Sequence, residues 1–412
     1  MNKLLTGENS KLNFQALLWH GIFLSLASYF MDVDTIIPSM VLNAGGNAVT
    51  LGIVTTIMIG GSSLMQIVFA GFLSNRTHKK SMLLVGINLR VAALMFLALI
   101  LFRSSSGNDS VLLLSIILLI SVFSFSGSFA NISYMDIMGK SILEKSRKRF
   151  FSVKQTVSSV GIFISAIAVR QLLRKLSYPE NYGTLLFFAG VLLLIASLGF
   201  WRLREVSVQV KNKRTFSEFL RLIPRHIAQD HNLKNYLLMI NFMGLVVSFI
   251  PFMILFARSN FDLSYNFIGN ILIFKVVGML LTSIVLYKRS HKFEYKNLLF
   301  FSLICGASLP VLALLFKNNQ LAYQMLFLLS GVFVSAFRVA KNGILVEIST
   351  NENRATYTGI SGAGSILPTV FPLVAGVMIS VLDYSSTFII ITLLVITSLI
   401  FVTKLNCRKL ER

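Results

Sequence analysis

Two aspartates, Asp32 and Asp34, stand inside a long apolar run near the start of the chain. A carboxylate in such a setting either takes up and releases a proton or neutralises a buried base such as Arg90. The two are two residues apart, about 200° around a helix, and cannot face one space unless the helix breaks. At helical spacing Asp32 shares a stripe with Gly21, Ser25, Ser28, Thr35 and Ser39. Asp34 falls beside Phe23, Phe30 and Ile37 and is expected to be the drier of the two. Both are candidate proton carriers, with Asp32 holding the route to water. Cations also stand in apolar runs: Lys275 in the middle of one, Arg338 and Lys341 toward the end of another. Such bases bind an anionic solute, neutralise a carboxylate, or in the case of Lys341 snorkel to the interface.

Three further runs carry polar residues three or four apart: Ser124, Ser128, Asn131 and Tyr134; Asn241, Gly244 and Ser248; Gly331, Ser335, Arg338 and Asn342. A wet cavity explains these stripes, and so does close packing of helices on small residues. The candidate cavity set is Ser28, Thr35, Asn131, Tyr134, Asn241, Lys275 and Arg338. The five histidines and two cysteines show no metal-ligand spacing, and no P-loop, nucleotide-binding or Ser-His-Asp pattern is present. No cofactor and no metal are expected. Paired carboxylates that point apart do not make the catalytic pair of an intramembrane enzyme.

The elements holding these residues follow from composition. With 55% hydrophobic and 13% charged residues and a mean hydropathy of +0.75, the chain has more apolar surface than one soluble core buries. Runs of roughly 20 residues predict twelve spanning helices at about 14–39, 50–73, 82–102, 111–137, 151–171, 184–203, 235–257, 265–287, 297–316, 321–343, 358–381 and 385–403. Transmembrane β-strands are about half that length and alternate in polarity. The expected fold is an all-α membrane protein, its natural partner the lipid bilayer.

The net charge of +22 raises nucleic acid as a partner, but placement excludes it: 27 of the 38 basic residues fall on one side of these spans and 5 on the other. The positive-inside rule puts both termini in the cytoplasm. Anionic headgroups account for the basic loops. The first apolar run is long enough to span and carries two carboxylates, unlike a cleavable signal. The longest polar interruption, 204–234, divides the chain into 1–203 and 235–412, six runs each. Within it Phe216, Phe219, Leu220, Ile223 and Ile227 recur at helical spacing among basic residues, as in a helix lying on the membrane surface. Arg76-Thr77-His78-Lys79 and Arg289-Ser290-His291-Lys292 nearly repeat, 213 residues apart (289 − 76) in a chain of 412. Such spacing is what a duplicated membrane domain leaves behind.

The segment from Gly71 to Lys80, with Asn75, Arg76, Lys79 and Lys80, resembles the loop signature of the major facilitator superfamily. Asn75 stands where the family has aspartate and His78 where it has glycine. The counterpart begins at Arg289 and has Phe293 in place of a second basic residue. Arg147 to Phe151 and Arg354 to Gly359 resemble the family's other basic-then-aromatic turns, and Met31 to Pro38 loosely resembles an acidic first-helix motif of its proton-coupled exporters. The resemblance implies two pseudo-symmetric six-helix halves, with the first, fourth, seventh and tenth helices lining a central cavity. It also implies a conformational gate formed from Gly71, Asn75, Arg76, Lys79, Lys80, Arg289, Asp136 and Arg149. The expected function is secondary active transport of a small solute in a bacterial cytoplasmic membrane, coupled to protons, by a monomer. The alternatives are a permease for an anionic solute and a non-transporting membrane sensor of the same fold. Gly359, Gly362, Gly364, Pro368, Pro372 and Gly376 are expected to break the eleventh span into a bendable helix.

Overall fold

The computed structural model describes residues 6–61, 65, 78–104, 110–205, 224, 227–288, 294–349 and 354–406. Among these residues, nine helices are long and apolar enough to cross a membrane. In chain order the helices are α1 (Gly7–Phe30), α2 (Ile36–Asn43), α3 (Ala48–Thr55, continued by a π turn Thr56–Gly61), α4 (Lys80–Arg103), α5 (Ser110–Ser141), α6 (Glu144–Lys175) and α7 (Glu180–Trp201). They continue as α8 (His231–Asn260), α9 (Tyr265–Lys288), α10 (Tyr295–Leu315), α11 (Gln320–Ile348), α12 (Arg354–Ala363), α13 (Ile366–Val381) and α14 (Tyr384–Thr403). The chain divides into two compact units, Met1–Gly45 with Gly61–Phe216, and Gly46–Gly60 with Ser217–Arg412.

In the first unit α1 packs along α7 and α6, and α4 along α5 and α7. In the second, α8 packs along α14 and α13, and α10 along α11 and α14, so the same four pairings recur in the same chain order. The second unit also contains α3, which lies along α13, and α9, which lies along α11. The α9 and α11 backbones approach closely at Gly278 and Gly331. A Cβ at either would sit inside van der Waals distance of a main-chain oxygen, of Leu328 and Lys275 respectively. Only glycine permits that approach.

Each unit also repeats one capping device. The last four carbonyls of a helix have no partner within it, and here side chains from two neighbours supply some. In the first unit Lys80 Nζ donates to the Trp201 and Leu203 carbonyls at 3.0 and 2.9 Å. Asn13 Nδ2 donates to the Arg204 carbonyl at 2.9 Å, while its Oδ1 accepts from Arg204 N at 2.8 Å. In the second unit Lys296 Nζ donates to the Thr403 and Leu405 carbonyls at 3.0 and 2.8 Å, and Asn232 exchanges the same reciprocal pair with Asn406 at 3.2 and 3.1 Å. A cation at a helix C-terminus also opposes the negative end of the helix dipole. Lys80→Met and Lys296→Met are each expected to cost about 1–2 kcal/mol, read as a lower melting temperature of the purified protein. An unchanged melting temperature in both variants would show that the capping is idle.

Among the described residues two of the expected spans are interrupted, and each interruption has a proline four residues downstream. Proline at position i lacks an N–H and clashes with the carbonyl of i−4. Pro38 thus disfavours helix at Asp34, and the backbone is irregular over 31–35 between α1 and α2. Pro368 does the same at Gly364, where α12 gives way to α13. The first apolar run, expected to be one helix over 14–39, is therefore two, and the eleventh is broken where its glycines and prolines cluster.

Candidate functional site

Asp32 lies in the first interruption. Only 9% of its surface is exposed, and Oδ2 accepts from the fully buried Thr35 hydroxyl at 2.8 Å. Its carbonyl accepts from the first two amides of α2, Ile36 and Ile37, both at 3.0 Å. Asp34 is half-buried. This reverses the expectation that Asp34 is the drier residue. That expectation carried a 100° step through 31–35, where no helix exists to carry it. Other members of the stripe separate as well. Ser25 and Ser39 are buried and donate back to Ile22 and Ile36 carbonyls in their own turns, whereas Ser28 is exposed.

A second grouping in the same unit draws on four helices. Lys154 of α6 donates to the Tyr134 hydroxyl of α5 at 3.0 Å, its ammonium 5.0 Å from the centre of that ring. Tyr134 and His20 of α1 lie 5.7 Å apart ring to ring, and His20 lies 4.3 Å from Phe200 of α7, its Nδ1 3.3 Å from the Ala196 carbonyl. The aliphatic stem of Lys154 passes Gly21 so closely that a Cβ there would meet it at 3.2 Å. Arg90 of α4 places its guanidinium 4.1 Å from the centre of the Phe123 ring and lies against Gly127, with its Nε buried and, among the described residues, without a hydrogen-bond partner. Among the described residues Arg90 makes no ion pair, so the structure does not support the reading in which this base neutralises Asp32 or Asp34.

At the inner end expected for this unit, Lys79 is buried at 6% exposure and pairs with Asp136 at 3.1 Å, and Lys140 closes on the same carboxylate oxygen. Glu205 accepts from the Lys79 and Lys80 amides at 2.7 and 2.9 Å, capping α4 where its unpaired amides point. Of the expected gate residues, Lys79, Lys80 and Asp136 are thus brought together. Gly71, Asn75, Arg76 and Arg289 lie outside the described residues, as does the side chain of Arg149.

In the second unit Asn241, Gly244 and Ser248 of α8 face the interruption between α12 and α13. Asn241 Nδ2 donates to the Gly364 and Leu237 carbonyls at 2.7 and 2.8 Å, and Oδ1 accepts from Leu367 N at 2.8 Å. Gly244 leaves room for the Pro368 ring, and Ser248 donates to the Pro368 carbonyl at 2.6 Å. The stripe read as cavity lining is engaged in holding a broken helix. Lys275 is buried at 3% exposure. Arg338 is exposed on α11, as Asn131 is on α5. A polar recess of about 420 Å³ at the start of α8 is lined by residues including Asp230 and Tyr357 and shares no lining residue with these groups. The Asp230 carboxylate there is engaged by the Asn232 and Leu233 amides and the Tyr357 hydroxyl.

Lys154 and His20 are the residues that sequence reasoning passed over. Their signal was available: both are ionisable groups in expected spans, and each lies about one turn from a residue already singled out. Comparison with solved structures places the fold. The nucleoside transporter NupG, in a point-mutant form, superposes with a TM-score of 0.67 at 14% identity, over 95% of this chain and 99% of that one. A POT family transporter in complex with 5-aminolevulinic acid gives 0.68 at 10% identity, over 95% and 96%. A bacterial homologue of the human lysosomal transporter Spinster, inward-facing and unoccupied, gives 0.65 at 12%, over 96% and 97%. No curated protein matches the chain by sequence. The family model of the Major Facilitator Superfamily matches residues 18–257 and 235–408, which together take in all of the groupings above. The chain belongs to the Major Facilitator Superfamily.

Proposed function

We propose that the protein is a secondary active transporter that moves a small solute across a bacterial cytoplasmic membrane by alternating access, with Asp32 taking up and releasing the coupling proton. The observation that carries this is a buried carboxylate at an irregular stretch of a spanning segment, bonded to a buried hydroxyl. Ser28 and Asn131 in the first unit, and Arg338 in the second, are exposed polar groups on expected spans, which suits contact with water in each unit, since such groups are disfavoured against hydrocarbon. The recurring helix pairings and capping devices support two six-helix halves, 1–203 and 235–412, joined by 204–234. Lys79, Lys80 and Asp136 form the described part of the proposed gate, and the working unit is a monomer.

Solute-driven currents test the transport reading. Proteoliposomes are exposed to a panel of nucleosides, short peptides and organic acids, with and without an imposed pH gradient. Currents that grow with the gradient are expected for at least one class. Silence across the panel, from protein that is folded and correctly inserted, would argue for a sensor. Orientation has its own check. A cysteine at Ser105 is expected to react with a membrane-impermeant thiol reagent in intact cells, and one at Thr215 only after permeabilisation. The opposite pattern would invert the topology.

A further inference from the structure

We propose that the group formed by Lys154, Tyr134 and Arg90 binds an organic dianion, and that this is the solute class the transporter carries; the proposal therefore rests on the transport reading above. Two cations stand on expected spans of the first unit, Arg90 within the run 82–102 and Lys154 near the start of 151–171, and both are half-buried. A charged group on a spanning helix persists only with a counter-charge or water. Among the described residues neither base forms an ion pair, because the two ion pairs of this unit both belong to Asp136. The second span cannot supply the missing charge within 62–77, which contains no aspartate or glutamate. Aromatic and phenolic groups hold both bases instead: Tyr134 takes Lys154 and Phe123 takes Arg90. A cation–π contact stabilises a cation but leaves its charge unneutralised. The buried Arg90 Nε has no hydrogen-bond partner among the described residues.

The two bases belong to one site. Both bases are held on one helix, α5. Gly127, against which Arg90 lies, and Tyr134, which holds Lys154, are two helical turns apart on one face of α5. The two backbone positions are on the order of 10 Å apart along the axis. Each base can offer a charge-assisted hydrogen bond of about 2.8 Å to one end of a solute that carries two anionic groups on a short carbon skeleton. A single carboxylate would reach one base and leave the other uncompensated. The His20 and Phe200 rings offer apolar surface to the carbon skeleton between the two ends.

Thermal stability of the purified protein in neutral detergent tests the site, with succinate, glutarate, adipate and glycerol 3-phosphate as dianions. Butyrate and chloride at matched ionic strength serve as controls. At least one dianion is expected to raise the melting temperature with saturation, and butyrate is not. Arg90→Gln and Lys154→Gln are each expected to weaken the apparent affinity by about 10- to 100-fold, while Arg90→Lys and Lys154→Arg retain most of it. No dianion-specific shift in the wild-type protein would overturn the proposal. So would an unchanged shift in folded, monodisperse Gln variants. A rise produced by phosphatidylglycerol and by none of the solutes, and lost in the Gln variants, would assign the bases to lipid headgroups and likewise overturn it. Dianion binding without uptake into proteoliposomes would remove the transport reading and leave the site. Uptake of uncharged solutes without any dianion response would remove the site and leave transport.

Discussion

Asp32→Asn is expected to abolish accumulation driven by a pH gradient while leaving solute-for-solute exchange close to the wild-type rate. One-for-one coupling to a gradient of about one pH unit supports up to about tenfold accumulation, since each unit corresponds to about 1.4 kcal/mol. With the proton carrier neutralised, that ratio falls to about one. Exchange needs only the alternating motion of the loaded protein, and asparagine keeps the size of aspartate and an oxygen to accept the Thr35 hydroxyl. Folding is therefore largely preserved. Asp34→Asn, at a half-buried position, is expected to leave the accumulation ratio nearly intact. Vesicle uptake at a fixed imposed gradient, with exchange measured in parallel, separates these outcomes. Wild-type accumulation in Asp32→Asn would remove this residue from the coupling path.

The ordering of those two aspartates shows where sequence reading holds and where it stops. Apolar runs of spanning length are local, additive signals, and the nine spans found among the described residues fall on runs read from the sequence. Assigning side chains to faces is different, because it multiplies a fixed angle over many residues and fails past the first irregular stretch. Pro38 marks that failure, since the carbonyl four residues before it cannot stay in a helix. The stripe of Asn241, Gly244 and Ser248 is also legible as a stripe. What lies opposite depends on which helix packs there, and that partner lies more than 100 residues further along the chain. The pairing of Lys154 with Tyr134 is hidden by a neighbourhood effect: Lys154 follows the basic turn Arg147-Lys148-Arg149 and reads as part of the span's inner edge. In the structure α6 begins at Glu144, which sets Lys154 about 15 Å into the helix.

The largest loss of stability is expected from Asn241→Leu. Where α12 stops and α13 starts, the Gly364 carbonyl and the Leu367 amide have no helical partner, and one side chain satisfies both. Leucine is close in volume and would fill the space, so the cost is not a cavity but two part-buried backbone groups left without hydrogen bonds. Each costs about 1–3 kcal/mol, and relaxation within a membrane protein lowers such values toward about 1 kcal/mol. A total of about 2–4 kcal/mol is expected, read as a fall in melting temperature and in the yield of monodisperse protein. Asn241→Asp separates the two bonds. Its carboxylate still accepts from Leu367 N but faces the Gly364 and Leu237 carbonyls with a second acceptor in place of the donor. That variant is expected to be at least as damaging as leucine despite its closer shape, whereas a purely steric role for Asn241 predicts the reverse order. Equal melting temperatures for wild type and both variants would mean that the broken helix is held by Pro368 in its Gly244 recess and by Ser248, with Asn241 contributing nothing.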